Sequence, residues 1–436
     1  MFEVKEVKRR IISEVDKRRD EWVALLLKVV QFNTDNPPSD TRNLVSFLSL
    51  YLKEKGLPDL HFMPLEPFSN LVTYIGSEGQ TPHLTLNGHL DQFPADDPKL
   101  WTYPPYAGIV KDGKIYGRGV SDMKGGTTAS LIALVLLHEL KIPLRGRLSF
   151  MAVSEEETGG RYGTQWILEH HPEFVGDACL NGEPYAPDVI GIGERGAYRM
   201  ILRTEGEPMH GSLSAGDDAI IRMAQALLAL RPLLKEKAEI PPELEEVIEK
   251  EKKYTRSPQD VGRQWMLEYP SYNVGVIRGG TKINVAPRYC EAEVDIRLPV
   301  GFKKERMQAL VDRLLKEAGC SDVIMLPSLL NYVEGEVDAQ NIRMQDATWT
   351  PTHERIVQIV KQNATDFIQK EPLYFVGMGA TDGRFFRMKG IPTVIYGPRP
   401  VNMGGIDEHI FVDEFITVIK VHACSIVDYL GLRTDT

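Results

Sequence analysis

Apolar residues recur at helical spacing through the opening of the chain. Ile11, Ile12, Val15, Trp22, Leu25, Leu26, Val29 and Val30 predict one amphipathic helix over about 5–31. The charges between them read as a solvated face. A helix over 42–55 is expected next, then strands at 70–75 and 83–86, a helix over 125–140 and a buried strand over 147–153. Strands alternating with helices at this spacing predict an α/β domain of three layers, α/β/α. After Gly193 the rhythm changes to strand 197–205, helix 217–234, strands 271–278 and 284–299, helix 303–318 and strand 323–326. That order resembles the split βαβ, or ferredoxin-like, α+β unit. The charged stretch 235–263 has helical composition, little apolar periodicity and no recognisable motif. A helix over 351–369 and apolar runs at 373–376 and 393–396 fit a return to the first domain. The expected organisation is a discontinuous domain of residues 1–194 and 337–436, interrupted by a smaller inserted domain of residues 195–336.

At 436 residues, two domains are the natural expectation. A net charge of −10 opposes binding to a phosphate backbone, so no nucleic-acid partner is expected. No run reads as membrane-spanning, and the opening MFEVKEVKRRIISEV is charged where a secretion signal is apolar. Cys179, Cys290, Cys320 and Cys424 are scattered, without a CxxC pair, as in a protein of a reducing compartment. The expected location is the cytoplasm.

Four segments pair metal donors with glycines: GHLDQFP (88–94), YGRGVSDMKGG (116–126), VSEEETGG (153–160) and LNGEPY (180–185). Most follow a short apolar run that reads as a strand. In H-x-D, His89 and Asp91 lie two apart on extended backbone and share a side. His89 is therefore a candidate ligand, with Asp91 accepting from its other ring nitrogen. Standing alone, the pair reads better as a capped turn with a surface histidine. Asp122 sits among Gly117, Gly119, Gly125 and Gly126, which permit tight turns and close backbone approach. The GxG there lacks the remainder of a dinucleotide fingerprint. A carboxylate shared by two cations ~3.5–4 Å apart is the better reading. Glu155, Glu156 and Glu157 read as a solvated loop in isolation, but they follow a core strand, where α/β folds place their sites. Glu183 and His409, the latter in GGIDEHIFVD, gain meaning only in company.

These segments together resemble the zinc-dependent amidohydrolase and exopeptidase family that contains acetylornithine deacetylase, succinyl-diaminopimelate desuccinylase, aminoacylase and glutamate carboxypeptidase. The likeness spans nearly the whole chain. LWTYPPYAGIVKDGKIYGRGVSDMKGG (100–126) is its most specific piece, with GGTKINVAPRYCEAEVDIR (279–297) and GATDGRFF (379–386) matching later motifs. The resemblance implies that His89, Asp122 and Glu183 hold one divalent ion and Asp122, Glu157 and His409 another. The ions are expected to be Zn(2+), with Co(2+) or Mn(2+) acceptable to the same donors. Glu156 is implied as general base, with Asp91 behind His89. The triplet stands where the family has Asp-Glu-Glu, so this register rests on aligning the glycines that follow. His210, in GEPMHGSLSAG, matches a histidine offered to the active site of a partner subunit, which implies a homodimer and a lid or dimerisation role for the inserted domain. Asn284, Arg297 and Gly379 match substrate-binding positions. Arg297 reads otherwise as an ordinary strand-end ion pair, and 235–263 as a lid elaboration or dimer surface.

The expected reaction is hydrolysis of the amide bond of an N-acyl amino acid or similar carboxylated amine, by metal-activated water with Glu156 as base. The alternative within the same chemistry is a metallo-dipeptidase or carboxypeptidase acting on short peptides. A catalytically inactive binding relative is disfavoured because every ligand and the base are present. A serine hydrolase is disfavoured because G-x-S-x-G is absent.

Overall fold

The computed structural model describes residues 4–254, 262, 264–327 and 344–433. The chain divides into two compact units, one of residues 1–193, 349–375 and 381–436, the other of 194–348 and 376–380. The opening helix is in fact two, Val4–Lys17 and Arg19–Val30. Ile11, Val15, Trp22 and Leu26 are buried on both sides of the break at Arg18, so the apolar stripe runs through it and periodicity alone does not register it.

The first unit is built on a nine-stranded sheet. Its central strands, Arg147–Val153, His83–His89 and Ala178–Asn181, run parallel, and Thr393–Ile395 continues parallel beside the last. Phe68–Ile75 adds antiparallel at one side, with Leu60–Leu65 at that edge. Every residue of Arg147–Val153 and His83–His89 is buried, as a strand covered on both faces requires. Met151 and Val153 pack with Ile167, Leu168, Phe385 and Phe386 on one face. The alternate residues face the helices Gly125–Glu139 and Val412–Leu430. The architecture is three-layered α/β.

In the second unit the strands lie in the order Asn273–Gly279, Tyr289–Leu298, Gly196–Glu205, Ile324–Pro327, all antiparallel. Tyr198, Met200 and Leu202 alternate with half-exposed residues and pack beneath the helices Ala219–Ala229 and Lys304–Glu317. This is the arrangement of the split βαβ unit. Within 235–263, the helix Pro242–Glu251 buries Leu244, Val247, Ile248 and Glu251, a clear helical stripe that the surrounding charge hid from the sequence reading. Residues 255–261 and 263 of that stretch, and 328–343 at the expected domain boundary, lie outside the described residues.

One sequence expectation needs correcting. The segment Val120–Glu139 is long and apolar enough to cross a membrane by composition, but 94% of its most apolar window is buried inside the protein. It is apolar on all sides because it is a core helix between sheet and helices.

Besides His89 and His409, two histidines are buried in the first unit. His83 Nε2 lies 2.8 Å from Ser149 Oγ. His422 Nε2 lies 2.8 Å from the Tyr396 carbonyl and its Nδ1 3.0 Å from Ser130 Oγ. Burial lowers both to about 4. An unfolded histidine titrates near ~6.5. Between these values the unfolded chain binds protons that the folded chain refuses, so their contribution is intact above ~6.5 and is lost as pH falls towards ~4, on the order of 3 kcal/mol each. We expect the melting temperature to drop through that window, and a His83→Gln/His422→Gln variant to lose that part of the acid slope. An identical slope in both proteins would exclude these histidines as the cause.

Candidate metal centre

Three neighbouring parallel strands end at the same edge of the sheet. His89 closes the first, the glutamate triplet follows Val153 of the second, and Glu183 stands two residues beyond Asn181 of the third. This is the end where open parallel sheets gather ligand groups. Asp122 arrives from Val120–Lys124, where its φ of −120° and ψ of 100° interrupt the helical path before Gly125–Glu139.

One donor atom each from His89, Asp122 and Glu183 lie within 4.8 Å of one another. His89 Nε2 is 3.2 Å from Asp122 Oδ1 and 3.5 Å from Glu183 Oε1. Its Nδ1 is 3.0 Å from the Asp91 carbonyl, with the Asp91 carboxylate Oδ1 at 3.5 Å. A carbonyl only accepts, so Nδ1 keeps its proton and Nε2 is the nitrogen able to exchange a proton for a cation.

The Asp91 carboxylate orders the next strand's loop. Its Oδ1 accepts the Glu156 backbone N–H at 3.1 Å, and its Oδ2 accepts that of Glu157 at 3.1 Å and the Asn36 amide at 2.8 Å. Glu155 turns away from this point, with φ at 68°, and its carboxylate accepts from Tyr162 N at 2.9 Å and Thr158 Oγ1 at 3.2 Å. The three adjacent glutamates therefore occupy three different environments. Glu156 Oε1 receives Arg384 Nη1 at 3.0 Å, and that guanidinium is fixed by the carbonyls of Thr381 at 2.7 Å and Gly159 at 2.8 Å. Glu157 Oε1 is buried without a hydrogen-bond partner among the described residues.

Burial, with the Asp122 carboxylate beside it, pushes the Glu157 carboxyl well above its ordinary range. The same two causes push Glu183 up to about 8. Buried carboxylates at such close quarters ionise together only beside compensating positive charge. An orphaned carboxylate oxygen, the His89 nitrogen and the converging carboxylates fit a divalent cation.

His409 opens the strand His409–Phe411, which pairs antiparallel with Lys114–Tyr116 in the register His409 to Tyr116. Its Nδ1 lies 2.8 Å from the Asp407 carbonyl, the same tautomer as His89, and burial holds its pKa below the ordinary value. A neutral imidazole is what a metal ligand requires. Glu157 and His409 stand outside the compact group of three.

The remaining candidates belong to the second unit. An isolated bridge pairs His210 with Val285, and Gly211 N donates to the Asn284 carbonyl at 2.8 Å. His210 and Asn284 are thus on adjoining exposed segments, with His210 Nδ1 2.8 Å from Ser212 Oγ. Arg297 Nε bonds to Asp295 Oδ2 at 3.1 Å, the strand-end ion pair. Gly379 is exposed, with open space around it.

Sequence reasoning passed over Arg384, Asp382 and Asn36. Asp382 is buried, pushed up to about 8 by burial and then Glu156, and accepts from Thr164 Oγ1 at 2.8 Å. A charged pair set directly before Phe385 and Phe386 was the available signal for two of these. Asn36 carries none, because only the fold brings it to Asp91.

Gly126 serves a different purpose from the expected one. A Cβ there meets the Gly182 carbonyl oxygen at 1.7 Å, so the glycine lets the helix start touch the backbone that carries Glu183 rather than a bound group. Gly126→Ala must displace that backbone. We expect the variant to fold less stably and to bind metal weakly, as measured by calorimetry and metal content. Unchanged metal content would show that Glu183 is not positioned through this contact.

The model for peptidase family M20/M25/M40 matches residues 85–428. The chain belongs to this family and is a metal-dependent hydrolase of amide or peptide bonds. A succinyl-diaminopimelate desuccinylase of Bradyrhizobium sp. is 28% identical over 375 residues, covering 81% of this chain and 84% of its own. The M20 family metallo-carboxypeptidase Sso-CP2 from Sulfolobus solfataricus aligns with a TM-score of 0.74 and 18% identity, over 94% of this chain and 99% of its own. Human carnosine dipeptidase 1 aligns with a TM-score of 0.74 and 17% identity, over 97% and 99%.

Proposed function

We propose that this chain is a two-metal deacylase that hydrolyses the amide bond of an N-acyl amino acid or a related carboxylated amine. His89, Asp122 and Glu183 hold one ion, and Asp122, Glu157 and His409 the other. The observation that carries the reading is the approach of His89 Nε2 to Asp122 and Glu183 at 3.2 and 3.5 Å, with Asp91 anchoring both Glu156 and Glu157 beside it. The similarity to a desuccinylase across most of both chains supports an acyl group as the part released. Imidazole and carboxylate donors suit zinc, with cobalt or manganese as substitutes.

When bound, the ions supply Lewis acidity and draw the pKa of water towards ~7. The chain's own residues supply the rest. Glu156 takes a proton from the attacking water and returns it to the departing amine. Arg384 holds one oxygen of that carboxylate, so the other serves the proton transfer. His210, contributed by a partner subunit, and Asn284 steady the oxyanion, and Arg297 with the Gly379 loop meets the substrate carboxylate. The second unit then acts as lid and dimerisation domain of a cytoplasmic homodimer. The four cysteines, all free and buried, fit a reducing compartment.

The test is amine release by zinc-loaded protein from N-acetyl, N-succinyl and longer N-acyl amino acids, set beside simple dipeptides and C-terminally blocked peptides. Turnover confined to acyl amino acids is expected. Turnover of free-ended peptides alone would overturn the deacylase reading in favour of a dipeptidase or carboxypeptidase.

A further inference from the structure

We infer that Glu408 is a positioning residue that fixes the mutual placement of Asp122 and His409, and so sets the affinity of the ion those two share. The inference rests on the ligand assignment proposed above. Glu408 is 1% exposed, although it sits directly beside His409 in the sequence. Its Oε1 accepts the Ser121 backbone N–H at 2.9 Å, the Ser121 hydroxyl at 2.8 Å and, more loosely, the Asp122 N–H at 3.4 Å. Its Oε2 receives Arg118 Nη1 at 2.6 Å, and its carbonyl receives Gly117 N at 3.0 Å. One side chain thus binds the loop of one proposed ligand while its own backbone carries the next.

The neighbouring residue completes the clamp. Asp407 accepts Thr102 N at 2.8 Å and Thr102 Oγ1 at 2.7 Å, while its carbonyl receives His409 Nδ1 at 2.8 Å. His409 is therefore held in ring tautomer by Asp407 and in position by Glu408. Ser121 and Asp122 stand in the first turn after the cap at Gly119, where backbone N–H groups have no acceptor within the helix. A buried donor left without an acceptor costs about 1–3 kcal/mol, and Glu408 removes that cost where a ligand must be aimed.

A buried ion pair is not by itself evidence of function, because apolar replacements of such pairs are often neutral. Arg118 and Glu408 differ from such a pair in their place. Oε1 is spent on the backbone beside Asp122 and leaves only Oε2 for Arg118. A purely structural pair predicts lost stability with intact metal binding. A clamp predicts lost metal binding in a folded protein.

The experiment compares full-length wild type, Glu408→Gln, and an Arg118→Met/Glu408→Met double variant that leaves no unpaired buried charge. Zinc is titrated against a chelating indicator, cobalt absorption spectra are recorded per equivalent, and unfolding is followed by circular dichroism. Wild type is expected to take two ions. In the folded double variant the ion assigned to Asp122, Glu157 and His409 is expected to bind about 10–100-fold more weakly. The other ion is expected to be less affected, since His89 and Glu183 do not depend on Glu408. Glu408→Gln, which keeps one accepting oxygen for Ser121, is expected to fall between. The cobalt spectrum of the second equivalent is expected to change while that of the first persists. Two ions at wild-type affinity in the folded double variant overturns the inference. If Glu408→Gln fails to fold, the double variant decides. A wild type that takes fewer than two ions instead sinks the ligand assignment.

Discussion

Glu156→Ala is expected to lower kcat by about 10²–10⁴-fold, the range for losing a general base, while both metal ions stay bound. The expectation follows from the division of labour within the triplet. Glu155 is bonded to Tyr162 N and Thr158, and Glu157 Oε1 is buried and unpartnered. Glu156 alone is tethered through a charged partner, Arg384, with which it makes a 3.0 Å contact. Glu156→Gln keeps a carbonyl oxygen for Arg384 but cannot accept the water proton, so it should be as inactive as the alanine variant. Glu157→Ala should lose an ion as well as activity. Kinetics on protein of measured metal content separate these cases. Loss of metal from Glu156→Ala would move the base one position along the triplet.

Asp91→Ala is expected to damage stability, metal affinity and turnover together. Burial works against ionisation of this carboxyl, yet His89, the Asn36 amide and the Glu157 N–H outweigh it and hold Asp91 below the usual carboxylate range. It is a carboxylate with every oxygen in use. Removing it strands the backbone N–H groups of Glu156 and Glu157, at about 1–3 kcal/mol for each buried group left unsatisfied. It also frees the turn that presents both residues. A metal-affinity loss of about 10–100-fold is typical when such a supporting group is removed. Asp91→Asn retains one accepting oxygen, so its losses should be intermediate. Thermal unfolding with and without zinc checks both parts. A variant that melts early but keeps wild-type zinc affinity would reduce Asp91 to a purely structural role.

Sequence legibility differed by element for physical reasons. Arg147–Val153 was readable to the residue because a strand buried on both faces is a continuous apolar run. The break at Arg18 was not, because the buried stripe continues through it. The helix Pro242–Glu251 was hidden because its buried positions are few among acidic and basic neighbours. At the site, His89, Asp122 and the triplet stood out as polar donors beside glycines, whereas Glu183 and His409 gained meaning only in their company. Arg384 lay in a segment already singled out, yet nothing in the order of residues says that it reaches Glu156, 228 positions away.

The sequence by itself determined most element types, the three-layer α/β class and a candidate donor set, because periodicity and residue chemistry are local properties. The tertiary structure decided which nitrogen of His89 and His409 keeps its proton, which glutamate is orphaned, and that Asp91 and Glu408 bind loops as well as neighbours. Those facts depend on atoms far apart in the chain meeting within hydrogen-bond distance in a buried place. Burial and proximity there set the charge state, and neither can be read from one residue and its flanks.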